Sequence, residues 1–393
     1  MPEKIVRYGL IGIGAQGGTY AKMLTGKAGA RPDKSALGAL CDIDPDKKTM
    51  CEILYPDVPF YTDYKDMIAS GHVDAIVTTV PHYLHPEMAI YALEHGVHAL
   101  VEKPAAVYAK QVRKMNEYAA TKPNLAFGIM FNQRTNELYK KLRDLVQSGE
   151  LGEIRRVNWI INSWWRPDSY YKQSEWRATW GGEGGGVLVN QAPHQLDLVQ
   201  WIAGIPTKVW AKIVYGSHRD IVVDNDVTAT FTYANGATGS FITATHDPVG
   251  TDRLEIDLNR GKIVVEDSKK ATILRFAKSE DEMNTTMSMA DVMRLFMGGQ
   301  ADKLYTTETI ESTDGWGVQH RKVFSDFSRH IVDGTPLLAP GSEGINGVNL
   351  ANAMLLSSWL GREVDNPVDE NLFLAELNKR IAAEGKYPPI KED

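Results

Sequence analysis

The feature that most constrains this chain is an apolar run, Ile5 to Ile11, that leads straight into Gly12, Gly14 and Gly17. In G-x-G-x-x-G placed after a strand and at the start of a helix, only glycine lets the backbone turn tightly and approach a pyrophosphate. Free N–H groups at Ala15 and Gln16, at the helix N-terminus, would hold the phosphates. The spacing by itself is common, but here a second apolar run, Ala36 to Cys41, ends at Asp42. That acid stands somewhat beyond the usual ~20 residues because the Gly26 to Ser35 loop is long. A carboxylate there accepts hydrogen bonds from ribose hydroxyls and repels a 2′-phosphate, which favours NAD over NADP, and Ile43 is placed to pack on adenine. Helix capping in this stretch falls more naturally to Asp44, one residue before Pro45.

The same alternation continues to about residue 130. Ala75 to Val80, His98 to Val101 and Leu125 to Met130 read as strands. Gly17 to Leu24, Pro45 to Tyr55, Pro86 to His95 and Ala109 to Ala120 read as helices, which predicts a doubly wound parallel α/β sheet over 1–130. After Ser148 the texture changes to alternating runs, Ile154 to Ile161, Lys208 to Val214, Val227 to Tyr233, Thr238 to Thr245 and Leu254 to Leu258. Turns such as Ala234-Asn235-Gly236 separate them, as in an antiparallel sheet. Helical periods cover Val187 to Ile202, Gln319 to Val332, Gly347 to Trp359 and Glu370 to Ala383, so an α+β domain is expected over 131–393, with its last helices able to pack back on the first domain. Residues near 278 to 312, polar and Met-rich, read as an insertion or mobile loop.

Composition narrows the partners. The 393 residues suffice for two domains, and 43% apolar with 24% charged residues excludes wholesale disorder. The net charge is −7 and no basic run is present, so nucleic acid is not an expected partner. Cys41 and Cys51 are too few for a disulfide framework. No apolar run is long enough to span a bilayer, and the amino-terminal stretch enters the glycine motif without a small-residue cleavage site, so no membrane and a cytoplasmic location are expected.

Two further segments carry chemistry. Lys103, in Glu102-Lys103-Pro104, follows the strand His98 to Val101 and so sits at a carboxyl edge where open α/β sheets bind ligands. Downstream, Gly184-Gly185-Gly186 leads into Asn190, His194 and Asp197, which share one face if the segment is helical. Trp159, Trp164, Trp165, Trp176 and Trp180 cluster with Tyr170 and Tyr171, suited either to sugar C–H surfaces or to a core or subunit interface. His82 and His85 have HxxH spacing without a third ligand nearby, so no metal site is expected. Asn132 and Arg134 suit either a cleft or ordinary capping and solvation.

The glycine motif, Glu102-Lys103-Pro104, and the glycine-rich turn before His194 and Asp197 resemble the Gfo/Idh/MocA family of oxidoreductases along essentially the whole chain. The resemblance implies a Rossmann domain followed by a substrate-binding domain with a large open, mostly antiparallel sheet, which pairs copies into a homodimer or homotetramer. It implies NAD-linked hydride transfer at a ring secondary alcohol of a sugar, glycoside or cyclic polyol, with C3 as one position. Lys103 becomes the lysine beside substrate and nicotinamide, and His194 the acid or base. Thr79, Pro81, His82 and His85 would line the nicotinamide side with Glu102, Asn132, Trp176 and Arg177. Arg166, Tyr170 and Asn190 would join Lys103 and His194 on the substrate. Asn190 departs from the family's commoner Asp and cannot raise the pKa of His194 by charge. Two relatives in kind define alternatives: a redox-neutral glycosidase that keeps NAD bound, and a non-catalytic nucleotide-sensing regulator.

Overall fold

In the computed structural model, which describes residues 4–300, 303–314 and 317–391, the first sheet is parallel throughout. Its strands are β1 (Val6–Ile11), β2 (Ser35–Cys41), β3 (Phe60–Tyr61), β4 (Ala75–Thr78), β5 (His98–Val101) and β6 (Phe127–Ile129), in the order β3-β2-β1-β4-β5-β6. The crossover helices are α1 (Ala15–Leu24), α2 (Asp46–Leu54), α3 (Tyr64–Ala69), α4 (His85–Glu94) and α5 (Ala109–Ala120). β4 is buried at every position because helices cover both faces, which is why its sequence is a continuous apolar run. The strand order reverses between β1 and β4, opening a crevice at the carboxyl edge beside the glycine turn. The sequence reading misses β3 and α3, since a two-residue strand shows no alternation.

The second sheet comprises β7 (Ile154–Ile161), β8 (Lys208–Tyr215), β9 (Asp224–Thr232), β10 (Thr238–Ala244), β11 (Asp252–Leu258), β12 (Gly261–Glu266), β13 (Lys270–Phe276), β14 (Tyr305–Glu311) and β15 (Val364–Asp365). They run β14-β13-β12-β11-β7-β10-β9-β8-β15, antiparallel except for the β7–β10 pair. β8 alternates between exposed and buried along KVWAKIVY, so Val209, Ala211 and Ile213 face the core while Trp210 and Val214 remain exposed. The helices of this half are α6 (Glu137–Gln147), α7 (Asp168–Tyr171), α8 (Val187–Asn190), α9 (Pro193–Ala203), α10 (Glu280–Thr286), α11 (Met289–Phe296), α12 (Val318–Asp333), α13 (Gly344–Leu360) and α14 (Glu370–Glu384). Leu138 and Leu142 of α6, Leu196 and Val199 of α9, and Leu350 and Met354 of α13 form one core with the inward face of the sheet.

Three expectations need correction. The segment 278–312 is no irregular loop: α10 and α11 are capped by Ser279 and Ser288, and β14 pairs along β13. β14 is exposed at most positions, so it carries no apolar alternation to betray it. The helix expected over 187–202 is two, because Pro193 has no N–H to continue the first ladder. The strands β12 and β13 also lie beyond the runs recognised in the sequence.

After the second sheet the chain returns to the first. Phe324 of α12 meets Tyr8 of β1 and Tyr20 of α1 edge to face, with ring centroids 5.1 Å apart in each case. Phe327 comes so near β6 that a Cβ on Gly128 would stand 2.8 Å from its ring. α12 thereby carries His320 to the mouth of the crevice, in ring contact with Tyr20.

Candidate active site

The nucleotide end of the crevice is made of backbone. Gly12 has φ of +93°, and a Cβ there would stand 2.6 Å from the Thr79 carbonyl oxygen. A Cβ on Gly17 would be 2.0 Å from the Gly12 carbonyl oxygen, so helix and turn could not close on any larger residue. Gly14 is different: a Cβ there would meet nothing within 4 Å. Protein packing does not demand that glycine, and its bareness leaves open space against the start of α1. The first turn of α1 has no side-chain cap and no acidic residue, so its N–H groups suit a pyrophosphate.

Thr79 Oγ1 donates to the carbonyls of Ile11 and Gly12, and so braces the turn. Asp42 accepts from Ile13 N at 2.6 Å and Asp44 N at 3.0 Å, one bond to each oxygen. Each oxygen keeps a lone pair for a ribose hydroxyl. Asp44 takes the helix-start role by accepting from Asp46 N. Ile43 is 89% exposed, which leaves its face open to an adenine ring. These residues fit NAD.

The catalytic end is made of buried charge. Lys103 leaves β5 at its carboxyl edge, and its Nζ donates to the Asn190 carbonyl at 2.9 Å. Burial lowers its pKa, Glu102 and Glu183 hold it up, and Arg177 and Arg166 push it down again. Glu102 is buried, accepts from the Tyr20 hydroxyl, and accepts from Lys103 N at 3.0 Å. His194, on the first turn of α9, is pushed well below the usual imidazole range by burial, with the charge of Lys103 adding to it. Its Nδ1 has no hydrogen-bond partner among the described residues. A neutral imidazole therefore faces a lysine ammonium.

The loop between β7 and α8 closes the other side. The Tyr170 hydroxyl collects hydrogen bonds from Arg177 at 2.6 Å and from Asn190 and Gln191 at 3.1 Å each. Arg166 stacks over the Tyr170 ring, 4.9 Å from its centroid. Trp176 meets His82 edge to face at 6.0 Å. His82 Nδ1 bonds the Glu183 carbonyl at 3.0 Å, and burial holds the ring neutral. Pro81 begins the 3-10 turn that carries His82. Thus Lys103, His194, Asn190, Tyr170, Arg166, Arg177, His82 and Trp176 gather in one place.

Other expected residues serve elsewhere. His85 is buried, with Nδ1 2.9 Å from the Pro104 carbonyl and Nε2 3.0 Å from that of Val80. Only a doubly protonated ring could satisfy both, yet burial pushes its pKa down to about 4. It ties together the two loops that follow β4 and β5. Asn132 is buried and donates to Gln319 at 3.3 Å, beside His320. Arg134 is neither solvated nor in the cleft: it pairs in the interior with Asp197 at 2.6 Å and with Glu343. Asp197 therefore does not share the site with His194.

The residue that sequence reasoning misses is Glu183. It is 1% exposed and accepts from Asn190 Nδ2 and Ala178 N at 2.6 Å each and from Arg177 at 3.2 Å. Burial pushes its pKa up to about 7 against the pull of Arg177. The one available signal is an acid isolated between Gly181-Gly182 and Gly184-Gly185-Gly186.

Comparison with known proteins agrees with this architecture. The oxidoreductase family model described as an NAD-binding Rossmann fold matches residues 6–129, and that of the GFO/IDH/MocA C-terminal domain matches 139–264. Inositol 2-dehydrogenase of Corynebacterium glutamicum is 26% identical over 204 residues, 51% of this chain and 55% of that protein. Levoglucosan dehydrogenase of Pseudarthrobacter phenanthrenivorans is 25% identical over 228 residues, 52% and 58% of the two chains. The chain thus spans little more than half the length of the curated relatives it matches. Among solved structures, the WlbA dehydrogenase of Bordetella pertussis in complex with NADH and UDP-GlcNAcA aligns with TM-score 0.73 and 22% identity, over 93% of this chain and 100% of that one. Levoglucosan dehydrogenase with NADH and levoglucosan aligns with TM-score 0.76 and 19% identity, over 92% and 99%. These likenesses concern the fold.

Proposed function

The chain belongs to the GFO/IDH/MocA oxidoreductase family, and from that premise we propose that it is an NAD-dependent dehydrogenase acting on a ring secondary alcohol of a sugar, glycoside or cyclic polyol. The observation that carries this reading is the juxtaposition of the Lys103 ammonium and the neutral His194 ring at the carboxyl edge of β5, beside the glycine turn. The nicotinamide, when bound, supplies the hydride acceptor. Lys103 holds the substrate hydroxyl and stabilises the negative charge that develops on its oxygen as the hydride leaves. His194, already neutral, accepts the hydroxyl proton, and in the reverse direction it returns that proton while Lys103 polarises the carbonyl oxygen. Tyr170, Arg166 and the Asn190 amide hold neighbouring hydroxyls. Gly12, Gly14, Gly17 and the first turn of α1 hold the pyrophosphate, with Asp42 on the adenosine ribose. A homodimer or homotetramer forms through the solvent face of the second sheet, where Trp210 and Val214 lie open.

The test is a screen of purified protein with NAD against inositols, free hexoses, anhydrosugars and glycosides, followed by nicotinamide absorbance. One responding class, silent in Lys103→Ala and His194→Ala, is the expected result. Glycoside cleavage without net nicotinamide reduction would replace this reading by the redox-neutral one. Silence in both assays with NAD still bound would replace it by a sensor.

A further inference from the structure

Three cations, Lys103, Arg166 and Arg177, converge on the substrate side of the cleft, and Asn190, the polar side chain nearest to them on α8, cannot carry a charge. Glu102 answers Lys103 from the end of β5, and Glu183 is the acid that answers from the opposite side. Its Oε1 takes the Asn190 amide at 2.6 Å and Arg177 at 3.2 Å, while Oε2 takes the Ala178 N–H at 2.6 Å. Its own carbonyl receives the His82 ring. One residue therefore joins the loop after β4, the aromatic loop and α8 around Lys103.

We propose that Glu183 is a positioning residue whose carboxylate fixes Asn190, Arg177 and, through them, the Tyr170 hydroxyl, and whose charge adds to that of Glu102 in favouring the ammonium form of Lys103. This rests on the reading of Lys103 as the group that binds the substrate hydroxyl.

The groups facing Glu183 are consistent with a charge that responds to pH. Arg177 and the Asn190 amide favour its ionised form, as does the Ala178 N–H. Asp224 on β9 opposes it, though its carboxylate is committed to Gly186 N and Leu188 N. His82 presents a neutral ring to the backbone only. With its pKa near 7, Glu183 ionises as the pH rises through neutrality. Above that point its charge favours the protonated form of Lys103, and below it the support is withdrawn. Lys103 is partly accessible, so its titration can be followed directly.

The experiment is competitive labelling of Lys103 with acetic anhydride across neutral and alkaline pH in the ligand-free protein, read by peptide mass spectrometry. In the unmodified chain, Lys103 reactivity is expected to show an inflection near pH 7 besides its own titration. In Glu183→Gln the Lys103 midpoint is expected to fall by about one pH unit, making the amine roughly tenfold more reactive below the midpoint. Glu183→Asp, which keeps the charge, should hold the midpoint near its original value. An unchanged midpoint in Glu183→Gln, or equal shifts in the Gln and Asp variants, overturns the proposal. Should Glu183→Gln not fold, the wild-type curve and the Asp variant decide alone: a single-group curve, or an Asp shift of a full unit, overturns it. The labelling uses neither nicotinamide nor sugar. A failed substrate screen with the expected shift therefore overturns only the dehydrogenase reading, and the converse result overturns only the role of Glu183.

Discussion

At one end of the crevice, Gly12 and Gly17 pack so closely that the turn is set by backbone contacts at 2.0–2.6 Å from any added Cβ, and the proposed phosphate cradle is made of N–H groups. At the other end, Glu102, Glu183 and Tyr20 are buried and Lys103 and His194 are only partly accessible, and all but His194 lean on another side chain or a distant carbonyl. The nucleotide end is built by some thirty consecutive residues braced from one side by Thr79. The catalytic end exists only when β5, α8, α9 and α12 have been brought together. The first tolerates changes elsewhere in the molecule; the second is coupled to the packing of the whole second half.

The largest effect should come from breaking that coupling. Arg134, Asp197 and Glu343 pin α9, and with it His194, to the 3-10 turn Asn132–Thr135 and to the start of α13. Arg134→Ala leaves Asp197 buried without its partner and should cost about 3–5 kcal/mol in urea denaturation. A loss below about 1 kcal/mol would mean that α9 is held by apolar packing alone. Next, Lys103→Ala should lower kcat by about 10²–10³-fold while NADH affinity, read by fluorescence titration, stays within a few-fold. Loss of both together would show that the two ends are one unit.

The same contrast explains what was legible in the sequence. The nucleotide end is local: strand, Gly12, Gly14, Gly17, helix, strand and Asp42 follow in order, so spacing reveals it. Lys103 and His194 were legible through their short flanking motifs. Glu183 was not, because nothing in a glycine-rich stretch tells which acid turns inward. Tyr20 and Glu102 pair across 82 positions and Arg134 and Asp197 across 63, distances over which periodicity carries no information. The shared helical face expected of Asn190, His194 and Asp197 failed for the same reason. Pro193 breaks the helix, and Asn190 and Asp197 are claimed by different partners.

His85 lies between the two ends and should give the next smaller effect. Its folded pKa of about 4 is below the usual 6.5, so between those values the native chain binds fewer protons than the unfolded one. Stability is then lost as pH falls, by about 2 kcal/mol from this group at pH 5. His85→Gln removes the titration, so its stability should fall less between pH 7 and pH 5 by that amount, measured by urea denaturation at both. An equally steep fall in the variant would mean that the ring is charged in the native state, satisfying the Val80 and Pro104 carbonyls together.

The smallest effect tests whether the nucleotide end is as purely backbone as its glycines suggest. Asp42 braces the turn through Ile13 N and Asp44 N, and in the proposed reading its charge also faces the adenosine ribose. Asp42→Ala removes both, whereas Asp42→Asn keeps one accepting oxygen and removes only the charge. If charge repels a 2′-phosphate, both variants should lose about tenfold of the preference for NADH over NADPH, with Asp42→Asn retaining most of the NADH affinity. If bracing dominates, Asp42→Ala should weaken both nucleotides alike while Asp42→Asn leaves the preference intact. In that case the carboxylate belongs with the glycines as a backbone device, and the division between the two ends becomes sharper.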